Sequence, residues 1–141
     1  MVVGVDGSAG SRAAIRWAVR EALLVPSRID AVVAWQSSAV RGTAATHAAV
    51  PSRTIDDERD AVAADVEAAV RQEVGGADHV AVELHVVHGT PARVLAQLAQ
   101  DADLLVIGGQ SRGHIQSTLP WSTGQRILRD CACPVVVVPA G

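Results

Sequence analysis

Phenylalanine and tyrosine are absent from this 141-residue chain, and three tryptophans are all it has of the large aromatics. A surface that holds single-stranded nucleic acid by stacking bases on aromatic rings is excluded by that shortage. Excess positive charge is missing too: 12 Lys and Arg stand against 15 Asp and Glu. No electrostatic footprint for nucleic acid or an anionic membrane results. No apolar run approaches the ~20 residues of a membrane span, and the N-terminus lacks the basic and apolar regions of a signal peptide. A cytoplasmic protein is expected. Cysteine is scarce: Cys131 and Cys133 form a C-x-C pair, too close for an ordinary disulfide and without a second pair for zinc. They read as two small buried hydrophobes.

What is present is alanine and valine, in a length that predicts one domain over residues 1–141. Val2-Val3-Gly4-Val5 reads as a buried strand ended by Asp6-Gly7-Ser8. Ser11 can cap a helix whose apolar positions Ile15, Ala18, Val19, Ala22 and Leu23 recur at helical spacing, with Pro26 closing it. Ile29 to Trp35 is a second strand, and from Gln36 to about Thr54 the composition predicts a long loop. A helix from about Ile55 to Val74 carries Asp56, Asp57 and Glu58 at its positive end and stops at Gly75-Gly76. Val80, Val82, Leu84 and Val86 alternate with Ala81, Glu83 and His85, the pattern of a strand at a sheet edge. Thr90-Pro91 starts another helix, Leu104 to Ile107 is the fourth strand, a helix opens near Ser122, and Val135 to Val138 is the last strand.

Strands and helices alternate, and several strands are continuous apolar runs, as in strands covered on both faces. The fold class is α/β, an open five-stranded parallel sheet with helices on both faces. In such sheets ligands sit beyond the carboxyl ends of the strands where the winding reverses. That rule directs attention to the loops after Val5 and after Ile107. The second is Gly108-Gly109-Gln110-Ser111-Arg112-Gly113, followed by Trp121-Ser122-Thr123-Gly124 at the helix start. A strand, a glycine-started loop and a helix N-terminus make a cradle for an anion such as phosphate.

Several strings together resemble the universal stress protein family over essentially the whole chain. They are Val3-Gly4-Val5-Asp6-Gly7-Ser8, Ala14-Ile15-Arg16-Trp17-Ala18, Ala34-Trp35-Gln36, Gly89-Thr90-Pro91-Ala92 and Ala102-Asp103-Leu104-Leu105-Val106. The resemblance implies the strand order 3-2-1-4-5 of an adenine nucleotide-binding, Rossmann-like fold. It also implies a homodimer through Val135, Val136, Val137 and Val138. Nucleotide-binding members carry a glycine, two residues, a glycine, nine residues, then glycine with Ser or Thr. Placed on Gly108, that spacing meets Ser111, Trp121 and Ser122 without a gap. An alternative frame from Gly113 to Gly124 conflicts with the distance to Pro134. The resemblance therefore implies Gly4, Asp6, Ala34, Gly108 to Gly113, and Trp121 to Gly124 around an adenine nucleotide, with Asp6 at the ribose and Ala34 by the adenine. Two of the three motif glycines are replaced, so weak or no ATP binding is expected. A nucleotide-binding member and a ligand-free dimeric scaffold with unknown protein partners are the alternatives.

Each candidate also has a plain reading. Asp6 can cap the Gly7-Ser8 turn, and Gly108 and Gly109 can be turn residues. Ser122 and Gln125 stand at capping-box spacing. Trp121, beside Leu119 and Pro120, can plug the phosphate end or stack on a base. Arg112 and His114 can be solvated or contact phosphate. His47, His79, His85 and His88 show no ligand spacing, His85 and His88 being placed on opposite faces of their strand, so no metal is assigned. No nucleophile-base set or carboxylate pair stands out, so an enzyme is not expected, with slow nucleotide hydrolysis left open.

Overall fold

The computed structural model describes residues 1–36, 54–77, 79–109 and 121–140, with the backbone alone for Trp121 and Ser122. Apart from its two ends, the loop expected from Gln36 to Thr54 lies outside the described residues. The elements are β1 (Val2–Gly4), α1 (Ala9–Leu24), β2 (Ile29–Trp35), α2 (Ile55–Val74), β3 (Val82–His88), α3 (Pro91–Leu98), β4 (Leu105–Gly108), α4 (Trp121–Asp130) and β5 (Val135–Val138). The strands form one sheet in the order β3-β2-β1-β4-β5 with every pairing parallel. The winding reverses between β1 and β4, as the sequence predicts.

Alternation along the strands sends residues to two separate cores. Val3, Val5, Ala31 and Val33 face α1 and α2, where they meet Ala14, Ile15, Ala18, Val66 and Val70. Val2, Val32, Leu105 and Ile107 face α3 and α4, with Val94, Leu95 and Ile127. Ala14 and Ala18 are fully buried. With only a methyl group at these positions, α1 lies close on the sheet, and this is where the alanine and valine composition acts. Trp35 is buried at the carboxyl end of β2. Its ring meets that of His88 edge-on at 5.0 Å, the two residues being register partners.

The helix starts refine the sequence reading. Ser8 rather than Ser11 caps α1: the Ser8 hydroxyl oxygen accepts the Ser11 N–H at 3.2 Å. Ser11 is instead inside the first turn, buried, and donates its own hydroxyl to the Ser8 carbonyl at 3.0 Å. Both serines lie near the strand end, and three-residue cap spacing makes the earlier one the acceptor. At α2, Thr54 and Asp57 form a reciprocal capping box, with N–H to side-chain distances of 2.9 and 3.1 Å. Thr90 occupies the N-cap of α3 and Pro91 its first turn, without a side-chain cap bond.

The third strand is displaced two residues from the expected Val80–Val86. Val80 donates its N–H to the Ala77 carbonyl at 2.9 Å, closing a turn before the strand begins. The ladder then continues through Val87 and His88 opposite Ala34 and Trp35. β3 is an edge strand, as the sequence predicts, and none of its residues is fully buried. Among the described residues no helix is long and apolar enough to cross a membrane.

Candidate functional site

β1 and β4 end side by side, and the two loops that leave them carry the residues singled out in the sequence. After β1, Asp6 Oδ1 accepts the Ser8 N–H at 3.0 Å, an Asx turn that sets the direction of α1. Gly7 sits at φ 78°, in the left-handed region, and among the described residues none comes within 4 Å of where a side chain would stand. Asp6 and Gly7 line a cleft of about 480 Å³ together with Arg12, Val33, Val62 and Asp65. This volume lies within the range of small-molecule pockets. The cleft opens between the carboxyl end of the sheet and the α1 and α2 face, with one guanidinium and two carboxylates around an apolar floor.

Arg12 and Asp65 were not among the sequence candidates. Arg12 carries a legible signal, standing one turn into the helix that follows Asp6. Asp65 carries none, because it reaches the cleft only through the packing of α2 on α1. The remaining candidates lie elsewhere. Ala34 faces the opposite core, packing against the cluster that contains Val94 and Leu95. Gly4 is buried in mid-sheet, where a Cβ would stand 3.0 Å from Leu95 Cδ1.

At the end of β4 the glycines have protein neighbours. A Cβ on Gly108 would fall on the Gly10 carbonyl and 2.6 Å from the Ser11 nitrogen. A Cβ on Gly10 would lie 2.5 Å from the Gly109 carbonyl oxygen. The first turn of α1 therefore rests directly on the backbone at the end of β4, and neither side tolerates a side chain. Gly10 was missed by sequence reasoning, since only the contact reveals it. Gly109 donates its N–H to the Val138 carbonyl at 2.6 Å, extending the β4–β5 ladder by one bond.

Gln110, Ser111, Arg112, Gly113, His114, Leu119 and Pro120 lie outside the described residues. Trp121 opens α4, which puts Ser122 at its second position, and Thr123 and Gly124 follow half-buried in the first turn. Among the described residues, none comes within 4 Å of where a Gly124 side chain would stand.

Two other sequence candidates are placed clearly. Cys131 and Cys133 are half-buried thiols with their sulfurs 3.5 Å apart, packed against the α3 and α4 core but less enclosed than expected. Burial first, then the neighbouring Cys131 sulfur, pushes the Cys133 thiol above its usual range. His85 and His88 do face opposite sides of the sheet: His88 meets Trp35, while His85 Nε2 lies 3.2 Å from Asp30 Oδ1.

The arrangement defines a class: a doubly wound α/β protein with a cleft beyond the carboxyl ends of its strands, near the reversal of winding. The universal stress protein family profile matches residues 1–139. The chain belongs to the universal stress protein family. It is 30% identical over 145 aligned positions to a universal stress protein of Mycolicibacterium smegmatis and 27% identical to one of Mycobacterium tuberculosis strain H37Rv. Each alignment covers 98% of this chain and 47% of the relative, so the chain spans about half the length of these curated relatives.

Solved structures share the fold. A universal stress protein in complex with cAMP superposes with a TM-score of 0.61 at 24% identity, covering 99% of this chain and 95% of that one. The universal stress protein of Archaeoglobus fulgidus in complex with dAMP gives 0.63 at 19%, covering 97% and 94%. A family protein of Arabidopsis thaliana with AMP bound gives 0.56 at 19%, covering 98% and 89%.

Proposed function

We propose that this chain is a cytoplasmic signalling or stress-response module that binds an adenine nucleotide weakly and catalyses no reaction. The observation that carries the proposal is the cleft at Asp6. It has the volume of a small-molecule site, lies where ligands enter open α/β sheets, and offers a carboxylate for hydroxyl groups beside a guanidinium for an anion. Nucleotide complexes among structural neighbours of the same fold support the class of ligand. The replaced glycines at Ser111 and Trp121 support weak rather than tight binding of a triphosphate.

Equilibrium binding of ATP, ADP, AMP and cyclic AMP to the purified protein tests the proposal. Asp6→Ala is expected to weaken whichever nucleotide binds by about 1.5–3 kcal/mol, roughly 10- to 150-fold, as for a hydrogen bond to a charged group. Asp6→Asn keeps an oxygen that can accept the Ser8 N–H, so it separates loss of the turn from loss of the ligand contact. Equal affinity in all three proteins would leave Asp6 a turn residue.

A ligand-free scaffold is the second reading, and one observation favours it. Gly108 and Gly109, the glycines of the expected cradle, are both engaged by protein: one under α1, the other in the ladder to Val138. No binding of any of the four nucleotides would select this reading.

Under either reading the protein is proposed to pair through β5. β5 lies at an edge of the sheet. The bonds Leu105 N–H to Pro134 and Gly109 N–H to Val138 set the phase of the β4–β5 ladder. In a parallel ladder, Val136 and Val138 then bond inward to β4, while the backbone groups of Val135 and Val137 point outward. Val137 is also 48% exposed. Sedimentation is expected to find a dimer at micromolar concentration, and Val137→Pro to shift it toward monomer without loss of fold, because the lost N–H faces the edge. A monomer at every concentration would refute the pairing.

A further inference from the structure

At the amino ends of β2 and β3, opposite the cleft, three side chains from two strands converge. Asp30 and Glu83 are register partners, and His85 lies two residues beyond Glu83 on the same face. His85 Nε2 is 3.2 Å from Asp30 Oδ1 and 4.0 Å from Glu83 Oε1, and the ligand atoms of all three lie within 4.8 Å of one another. We propose that Asp30, Glu83 and His85 form a binding site for a first-row divalent transition metal ion such as zinc.

The geometry is close to what the ion requires. Metal–ligand bonds of about 2.0–2.1 Å in a tetrahedron place ligand atoms about 3.3–3.4 Å apart. The Asp30–His85 distance of 3.2 Å already matches, and the Glu83 carboxylate, 4.0 Å from His85 Nε2, must move inward. Its side chain is 57% exposed and has the freedom to do so. Asp30 and His85 are more enclosed and sit on paired strands, so two of the three ligands are held in position by the sheet. Water completes the coordination from the open side.

The donor set selects the ion. One imidazole with two carboxylates suits zinc and its first-row neighbours, whereas magnesium and calcium take oxygen. The two carboxylates supply the negative charge that a dication needs. Arg28 balances that charge, with guanidinium nitrogens 3.0 Å from Asp30 Oδ1 and 3.7 Å from Glu83 Oε2. Its side chain is 63% exposed, so it can swing into water when the ion enters. Arg28 is thus a built-in competitor. Hydrogen bonding between His85 and Asp30 fits the same distances without an ion, and Arg28 is the residue that distinguishes the two cases.

The test is zinc titration calorimetry on the full chain carrying Cys131→Ser and Cys133→Ser, which removes the thiols as alternative ligands, with circular dichroism confirming the fold of each variant. One zinc per chain is expected. His85→Ala, Asp30→Asn and Glu83→Gln should each weaken binding at least about tenfold, and Arg28→Ala should tighten it. Glu83 is the most exposed ligand, so its variant keeps the test decisive if a change at Asp30 impairs folding. Millimolar magnesium should not displace the zinc. Absence of zinc binding, or binding unchanged by His85→Ala and Glu83→Gln, would overturn the site.

Discussion

Gly108→Ala is expected to destabilise the protein by about 3 kcal/mol or more, a large share of the 5–15 kcal/mol typical of a domain. The added methyl group would fall on the Gly10 carbonyl and 2.6 Å from the Ser11 nitrogen. These are backbone atoms in the first turn of α1, where Ser11 donates both its N–H and its hydroxyl to Ser8. No side chain can rotate away, so either the helix lifts from the sheet or β4 shifts. Overpacking against flexible side chains costs about 1–3 kcal/mol, and a rigid neighbour places this case at or above the top of that range. Urea unfolding followed by circular dichroism measures the loss. Gly124→Ala is the contrast: it sits in α4 with no atom of the described residues within 4 Å of the added methyl group, so removing glycine from the helix should gain about 0.5–1 kcal/mol. A loss below 1 kcal/mol for Gly108→Ala would mean that the α1–β4 contact is looser than described.

The paired changes Ser111→Gly and Trp121→Gly are expected to raise ATP affinity at least tenfold above a native value in the millimolar range or weaker. A glycine cradle lets backbone N–H groups reach phosphate oxygens, and each charge-assisted bond lost costs about 1.5–3 kcal/mol, where 1.4 kcal/mol is tenfold. The Trp121 change should contribute more, since it also removes the bulk of an indole. Calorimetry with ATP and magnesium on the two single variants and the pair measures the contributions. Tight ATP binding by the native chain would return it to the ordinary nucleotide-binding branch of the family.

Legibility in the sequence followed the range of the forces involved. β2, α2 and β5 have the bounds expected from their residues, because each apolar pattern is locally punctuated, as at Gly75 and Pro134. The choice between Ser8 and Ser11 as cap was not legible, since both lie close to the start of the helix. β3 slipped by two residues because Val80, apolar and in phase with the strand, is instead used in a turn. At the candidate site, Asp6 was found through its place at the end of β1. Arg12 and Asp65 join it only when α1 and α2 are packed. The Gly10–Gly108 contact and the Asp30–Glu83–His85 group each join distant parts of the chain, and a single sequence carries no trace of such proximity.

The Trp35–His88 pair makes the protein its own optical probe. With no tyrosine in the chain, near-ultraviolet emission comes from three indoles alone. Trp35 is 8% exposed and lies at the carboxyl ends of β2 and β3 with the His88 ring 5.0 Å away. Its emission is expected to be that of an indole shielded from water and packed edge-on against a neighbouring ring. Displacement of one ring from the other alters that signal. Events at this end of the sheet can therefore be followed in the unlabelled protein.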